Sequence, residues 1–385
     1  MKSEANLLLH HIEYAHVRCT NRVRIDDVTT GRPFRTFSNL VSKSGPNCHH
    51  ATDVITPTTR RSTAMPTRER GSLLCLMLLS QLELCTCLSF QPLPRLEPYV
   101  CGTPIGKSEK IMVMLGGFPD THTLWKGVIE EFGSEYTLIS IPTPDYDRPR
   151  LRKKFGYSPS ECTNMIDAAI KDAIGPEQQF DLLMHDWGCI WGYELAALRS
   201  DCVRKMVALD VGPVVGLNKQ LEQGRFPRPG DAGTQRGSQW MMPYQLTFAL
   251  CFWLGARIHP LLGHLTLMGA AALAPFLGPM NLLFNPLRQL PRPLSQIRWW
   301  MCYPYFQLWS RHVFARKPLA DVPLVPAMPV LYVWGERKRC MFHTEEFVEA
   351  VRNAPESRAV SFDCSHWLMH ERPAELHAEM RAFLF

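Results

Sequence analysis

The run Met184-His185-Asp186-Trp187-Gly188 follows an apolar stretch, Phe180-Asp181-Leu182-Leu183, and precedes a helical pattern. A strand that turns sharply into a helix projects one side chain above the sheet edge, and a glycine two residues on lets the helix pack close. Serine is the commonest residue at that apex. Here the apex is Asp186, and no Gly-x-Ser-x-Gly occurs in the chain. A carboxylate attacks esters and amides poorly, but it can displace a leaving group at a saturated carbon and form an alkyl ester. Water activated by a histidine then attacks the ester carbonyl, and backbone N–H groups hold the oxyanion. The plainer reading of Asp186 is a helix N-cap.

Two further segments fit that chemistry. Gly116-Gly117-Phe118-Pro119 follows an apolar run at 110–115. The Phe118 N–H and the Trp187 N–H can then serve as the oxyanion donors; the plainer reading is a Gly-Pro turn. Downstream stands Phe362-Asp363-Cys364-Ser365-His366-Trp367, with His370 close behind. A base belongs in a loop after the last strand. His366 is preferred there over His370, which falls at a helix beside Glu371-Arg372. The plainer reading of either is a surface loop histidine.

These residues need a scaffold. Apolar runs at 110–115, 136–141, 180–184 and 205–209 alternate with helical patterns at 163–174 and 191–199. A fifth run follows at 329–334, and a final helix at 373–385. Buried strands alternating with helices predict an α/β fold, a mostly parallel sheet flanked by helices. The alternation breaks at 214–325, a stretch rich in aromatics and proline. It holds no Asp or Glu from 232 to 320, yet it carries Arg257, Arg288, Arg292, Arg298, Arg311, Arg316 and Lys317. It is expected to be an inserted helical cap over the strand C-termini, where open α/β sheets bind ligands. The expected organisation is an extension at 1–92, a core at 93–213, a cap at 214–325 and the rest of the core at 326–385.

The extension reads as disordered to about residue 70, being rich in Ser, Thr, Arg and Asn. The apolar segment at 73–90 follows Arg68 and Arg70 as a signal core would. It lies deep in the chain, however, is interrupted by Gln81 and Glu83, and is short for a bilayer span. A short anchor or an apolar helix on the body fits equally.

With 385 residues, 46% apolar and 20% charged, the chain can bury a sizeable core. A net charge of +6 without a dense Lys/Arg run predicts no nucleic-acid partner. The 13 cysteines are scattered and odd in number, and Cys48-His49-His50 has no partner cluster. They read as free thiols in a reducing, intracellular compartment, not as a zinc site or a disulfide framework. No motif for a metal, nucleotide or redox cofactor is present, and the sequence sets no oligomeric state.

Taken together, His-Asp-Trp-Gly after an apolar strand, Gly-Phe-Pro upstream and Ser-His-Trp-x-x-x-Glu-Arg-Pro downstream resemble the epoxide hydrolase and haloalkane dehalogenase branch of the α/β-hydrolases. The resemblance covers about 93–385 and is clearest at 110–213 and 329–385. It implies an α/β-hydrolase fold, Asp186 as nucleophile, His366 as base, an acid that orients the histidine, and cap tyrosines that polarise an epoxide oxygen. Tyr244 in Pro243-Tyr244-Gln245-Leu246 is similar to the first of these. Trp300-Met301-Cys302-Tyr303-Pro304-Tyr305 offers the second, with Tyr303 preferred and Tyr305 read as packing.

The family pattern is broken in three places. The acid's usual turn reads Gly335-Glu336-Arg337-Lys338, with Lys338 where Asp is expected. Some relatives carry the acid one strand earlier, which here is Asp210; it is preferred over Glu336, the alternative acid. Gly116 stands where epoxide hydrolases usually show His, and Met184 where a small residue is common. Phe118, where dehalogenases often use Asn to bind halide, favours a lipophilic epoxide as substrate. Haloalkane dehalogenation and a non-catalytic binding relative are the alternatives. The basic, apolar cap is consistent both with a greasy substrate roof and with contact to an anionic membrane surface.

Overall fold

The computed structural model describes residues 92–214, 241–273, 294–315, 317, 319–338 and 341–385. The chain divides into two units, Met1–Thr67 and Arg68–Phe385, and the described residues all belong to the second. The expected extension, including its apolar segment at 73–90, lies outside them.

The chemistry is held by a seven-stranded sheet. Its strands are β1 (Tyr99–Gly102), β2 (Ile111–Leu115), β3 (Thr137–Ile141), β4 (Phe180–His185), β5 (Val203–Leu209), β6 (Val330–Gly335) and β7 (Arg358–Phe362). They lie in the order β1-β3-β2-β4-β5-β6-β7. Only β1 runs antiparallel, against β3; every other pairing is parallel. β2, β4 and β6 are buried along their whole lengths. That is why they read as continuous apolar runs and not as alternating ones. The edge strand β1 is largely exposed, and the edge strand β7 is mostly half-buried.

Side chains two residues apart share a face, so the sheet builds two cores. Val113, Leu115, Leu182, Met184, Met206 and Ala208 enter one. Met112, Met114, Leu183, Val207, Leu331 and Val333 enter the other. Helix α1 (Lys126–Phe132) contributes Phe132 to the second core. Helices α2 (Pro159–Ile174) and α3 (Trp187–Leu198) contribute Ile166, Ile170, Trp191 and Leu195 to the first. The start of α2 is fixed by a capping box. The Ser158 side chain accepts from the Glu161 N–H, and the Glu161 carboxylate accepts from the Ser158 N–H.

The chain passes from β2 outward to β3, then back across β2 to β4. Strand order therefore reverses beside β2, and the C-terminal ends of β2 and β4 flank the crevice where such sheets bind ligands. Leu115 pairs with Met184 at that point.

Between β5 and β6 the chain leaves the sheet, and the described part of this insertion carries several helices before a non-helical stretch at 319–329 returns it to the sheet. The helices include α4 (Met241–Trp253), α5 (Pro260–Leu273) and α6 (Tyr303–Gln307). α4 and α5 come together where Gly263 meets Gly255 and Cys251. A Cβ on Gly263 would fall 2.7 Å from the Gly255 Cα. No helix among the described residues is long and apolar enough to cross a membrane. After β6 come α7 (Glu345–Asn353), β7, α8 (Leu368–Glu371) and the closing helix α9 (Pro373–Leu384).

Candidate active site

β4 ends at His185, and Asp186 takes a left-handed backbone conformation, φ 54° and ψ −125°. Non-glycine residues reach this region at a cost, and it recurs at functional turns. The carboxylate of Asp186 makes no capping hydrogen bond to α3. It points the other way: Oδ2 accepts from the Phe118 N–H at 2.6 Å, and Oδ1 lies 3.6 Å from His366 Nε2. The helix-cap reading of Asp186 therefore does not describe its side chain.

Glycines make this approach feasible. A Cβ on Gly117 would stand 2.4 Å from Asp186 Oδ2 and 2.4 Å from Trp187 N. A Cβ on Gly188 would stand 2.2 Å from the Leu115 carbonyl oxygen, so α3 can start against the end of β2 only without a side chain there. Trp187 occupies the first turn of α3, where N–H groups have no acceptor within the helix. Phe118 N–H and Trp187 N–H thus border the Asp186 carboxylate from two elements. Met184, bulky where relatives are small, is received by Gly192, whose Cβ would fall 2.3 Å from Met184 Sδ.

Asp210 follows β5, also with positive φ (72°), and is fully buried. One oxygen, Oδ1, accepts from the Gly335 N–H at 3.0 Å and from Lys338 Nζ. The other, Oδ2, pairs with His366 Nδ1. Of the two candidate acids, Asp210 is the one beside His366; Glu336 is exposed. Lys338 is buried against Asp210. Asp186, His366 and Asp210 therefore form one line across three loops. His366 sits opposite β6 because Gly335 lets the 364–366 loop approach: a Cβ there would be 2.2 Å from the Ser365 carbonyl oxygen.

The charges follow this geometry. Burial alone would raise the pKa of Asp186, but the hydrogen bond and charge of His366, then His185 and the Phe118 N–H, hold it below its usual value. Burial opposes ionisation of Asp210 too, yet Lys338 and His366 bring it to about 2. Burial disfavours the His366 imidazolium, but Asp210 and Asp186 raise it to about 9. At neutral pH the site rests as an ion pair, with an imidazolium between two carboxylates.

A second buried pair braces it. His185 Nε2–H donates to the His366 carbonyl at 3.0 Å, and His185 Nδ1 lies 3.3 Å from Asp120 Oδ2. Trp367 Nε1–H donates to Asp120 Oδ1 at 3.2 Å. Sequence reasoning did not single out Asp120 or His185. Their signal was adjacency, since they lie in the same two segments as Phe118 and Asp186.

The two tyrosines of Tyr303-Pro304-Tyr305 take different surroundings. Tyr303 is buried, with its hydroxyl 3.6 Å from Cys162 Sγ and its ring edge-on to Tyr146 and Tyr157. The loop after β3 seats it: Asp145 accepts from the Arg152 N–H and the Tyr157 hydroxyl, and a Cβ on Gly156 would fall 2.5 Å from the Tyr303 ring. Tyr305, read from sequence as packing, is the ring over the elbow. It lies edge-on to Trp187 at 5.0 Å and to Phe118 at 5.5 Å, and against Phe248 at 4.9 Å. Positions two apart on a helix face opposite ways, so Tyr-Pro-Tyr could send only one phenol to the elbow. The side chain of Tyr244 lies outside the described residues.

A model of the alpha/beta hydrolase family matches residues 112–379. The chain belongs to that family. Epoxide hydrolase 1 of Caenorhabditis elegans is 22% identical over 291 residues, covering 72% of this chain and 66% of that protein. Epoxide hydrolase 3 of Mus musculus is 24% identical over 298 residues, covering 71% and 70%. EphD of Mycobacterium tuberculosis, described as a probable oxidoreductase, is 28% identical over 122 residues, and the match spans only 20% of its length. Among solved structures, an epoxide hydrolase of Bacillus megaterium in complex with an inhibitor superposes with a TM-score of 0.51 at 18% identity, covering 75% of this chain and 96% of that one. A product complex of a mutant of that enzyme gives 0.52 at 19%, with the same coverage. At such identity these structures establish the alpha/beta hydrolase fold, an open α/β sheet with its helices on both faces.

Proposed function

We propose that this alpha/beta hydrolase opens a lipophilic epoxide through an alkyl ester on Asp186. An Asp186 oxygen attacks an oxirane carbon as the carbon–oxygen bond breaks. The leaving oxygen stays on the substrate as an alkoxide and takes a proton from a cap phenol, the role assigned to Tyr305 and to Tyr244. His366 then deprotonates a water that adds to the ester carbonyl. The oxyanion is held by the Phe118 and Trp187 N–H groups; its collapse expels the substrate oxygen, which takes the proton from His366 to complete the diol, and the remaining acid proton passes to the cap phenolate, restoring the phenol and the Asp186 carboxylate. Esterification removes one of the two anions that favour the His366 imidazolium, so the neutral base becomes available after alkylation. The line Phe118 N–H, Asp186, His366, Asp210 carries the reading. Phe118 and Tyr305 supply apolar surface beside Trp187 where a dehalogenase places a second halide donor.

A His366→Gln variant incubated with lipophilic epoxides and, separately, with haloalkanes tests it. The expected result is a stable adduct on the Asp186 peptide, seen by mass spectrometry, with epoxides only. An adduct from haloalkanes alone would point to dehalogenation, and none from either panel to a non-catalytic relative.

The insertion is further assigned to a membrane surface. Ile258, Leu261, Leu262 and Leu265 are exposed at the start of α5 and just before it. They stand beside Arg257 and His259, within a stretch free of carboxylates from 232 to 320. Exposed aliphatics next to an arginine suit an anionic bilayer interface. The wild type should float with phosphatidylserine vesicles at low salt, and Leu261→Ser/Leu265→Ser should not. A wild type that stays at the bottom of the gradient excludes this assignment.

A further inference from the structure

Lys338 has no role in the reaction just described, yet it is buried at the heart of the charge network. Its ammonium contacts Asp210 Oδ1, the oxygen that also accepts from the Gly335 N–H. Its other face lies over the Phe342 ring, 5.0 Å from the centroid. Phe342 in turn stands edge-on to the His366 ring at 5.8 Å. The segment is held down beside β5, with Val211 bridged to Phe342 and the Gly212 N–H donating to the Phe342 carbonyl. A buried ammonium is costly unless paired, and the pairing here is with the Asp210 carboxylate, with the Phe342 ring face on the other side.

We propose that Lys338 is a positioning residue: its ammonium neutralises Asp210 and fixes the carboxylate's far oxygen on His366, so that the imidazole can be neutral and take the proton of the attacking water in the water-activating step. The proposal rests on the assignment of Asp210 and His366 as the acid–base pair. The other titratable groups around them are quiet. His343, hydrogen-bonded to the Tyr332 hydroxyl, is pushed down to about 4 by burial and by Lys338, and so is neutral. Tyr332, Cys189 and Cys364 are all pushed up by burial and stay protonated. The carboxylates in contact with His366 are Asp186 and Asp210, with Lys338 on the far side of Asp210; the buried Asp120–His185 pair lies beside them, its imidazole 4.4 Å from the His366 ring. Without the lysine charge, the same imidazole would face two carboxylates alone and hold its proton more tightly. The departure at the acid turn is then a rearrangement in which a cation occupies one side of a relocated acid.

The test is an NMR titration of the His366 ring in the full-length protein labelled at histidine, assigned by loss of its signal in His366→Gln. Lys338→Gln keeps an N–H donor but removes the charge, and it should raise the His366 pKa by about one unit or more, lowering the neutral fraction at pH 7 about tenfold. The pH limb of ester hydrolysis should move alkaline by the same amount, while the rate of adduct formation changes little. Lys338→Arg should restore both values. An unchanged His366 pKa in a folded Lys338→Gln variant overturns the proposal, and the NMR readout does so whether or not any epoxide reacts. Lys338→Met is the second neutral variant. If both neutral variants unfold while Lys338→Arg folds, the cation is structural and the proposal is equally overturned.

Discussion

Gly116 and Gly117 are neighbours in one loop, and the structure assigns them opposite tolerance to a single methyl group. On Gly117 a Cβ would sit 2.4 Å from both Asp186 Oδ2 and Trp187 N, about 1 Å inside the 3.4 Å at which ordinary contact begins. Neither neighbour can yield cheaply. Trp187 N belongs to the backbone of α3, and α3 is pinned to β2 by the Gly188 approach to the Leu115 carbonyl. The carboxylate must therefore move by about 1 Å, breaking its hydrogen bond to the Phe118 N–H. A displacement of that size at a reacting group costs about 10²-fold in rate, and overpacking adds about 1–3 kcal/mol of destabilisation. On Gly116 the nearest atoms would be Leu124 Cδ2 at 3.5 Å and Asp120 Cβ at 3.6 Å, and φ is not positive at either glycine. Gly116→Ala should therefore be close to wild type. The assay is the rate of epoxide adduct formation on Asp186 in a His366→Gln background, with thermal unfolding measured alongside. Equal adduct rates for Gly116→Ala and Gly117→Ala in folded proteins would refute the reasoning, because the Asp186 carboxylate would then not depend on the space Gly117 leaves.

Three other outcomes are expected. Asp210→Asn removes the anion from a fully buried pair and strands the Lys338 ammonium, so it should cost about 3–5 kcal/mol of stability and leave an ester intermediate that accumulates, measured by chemical denaturation and burst kinetics. Tyr305→Phe should slow epoxide opening on the order of 10²-fold while Tyr303→Phe, whose hydroxyl faces Cys162, leaves it nearly unchanged; the reverse ranking in single-turnover assays would remove Tyr305 from its role. His366 is raised from 6.5 to about 9, so the stability it contributes is complete below about pH 6.5 and lost as pH rises through 9; Asp210, lowered from 3.8 to about 2, contributes stability that is lost as pH falls from 3.8 through 2. Melting temperature against pH should therefore fall on both flanks, and a His366→Gln variant that falls as steeply as wild type between pH 6.5 and 9 would contradict the alkaline half.

The parts of this architecture that were legible in sequence are those where one physical signal dominates. β2, β4 and β6 are buried on both faces, so their apolar runs announce themselves. β1 and β7 are edge strands with exposed positions, and neither Tyr-Val-Cys-Gly nor Arg-Ala-Val-Ser-Phe carries enough apolar weight to stand out. The segments at Gly117, Asp186 and His366 could be found because each combines a chemically capable residue with a backbone demand: a close approach, a positive φ or a tight loop. The preference for Tyr303 over Tyr305 had no local signal behind it, since the two share the same residues around them. The choice depends on a tertiary partner, the Asp145-seated loop that receives Tyr303. Asp120 and His185 escaped notice because a buried polar pair has no local signature; it exists only once β2 and β4 lie side by side.

Each departure from the family pattern meets its answer in space and not in sequence. Met184 adds volume beneath the elbow, and Gly192, in the second turn of α3, removes it. Gly116 takes away a side chain where Leu124 and Asp120 leave room for one. Lys338 puts a cation where an anion was expected, and the anion stands beside it on Asp210, one strand away in the sheet. The third exchange is possible because β5 and β6 are neighbours in register, Leu209 against Val333, so their C-terminal ends open on the same point above the sheet. Either strand end can carry the carboxylate to the same imidazole nitrogen. What the fold preserves is a position for negative charge relative to His366, and the open end of a parallel sheet supplies that position from more than one place in the chain.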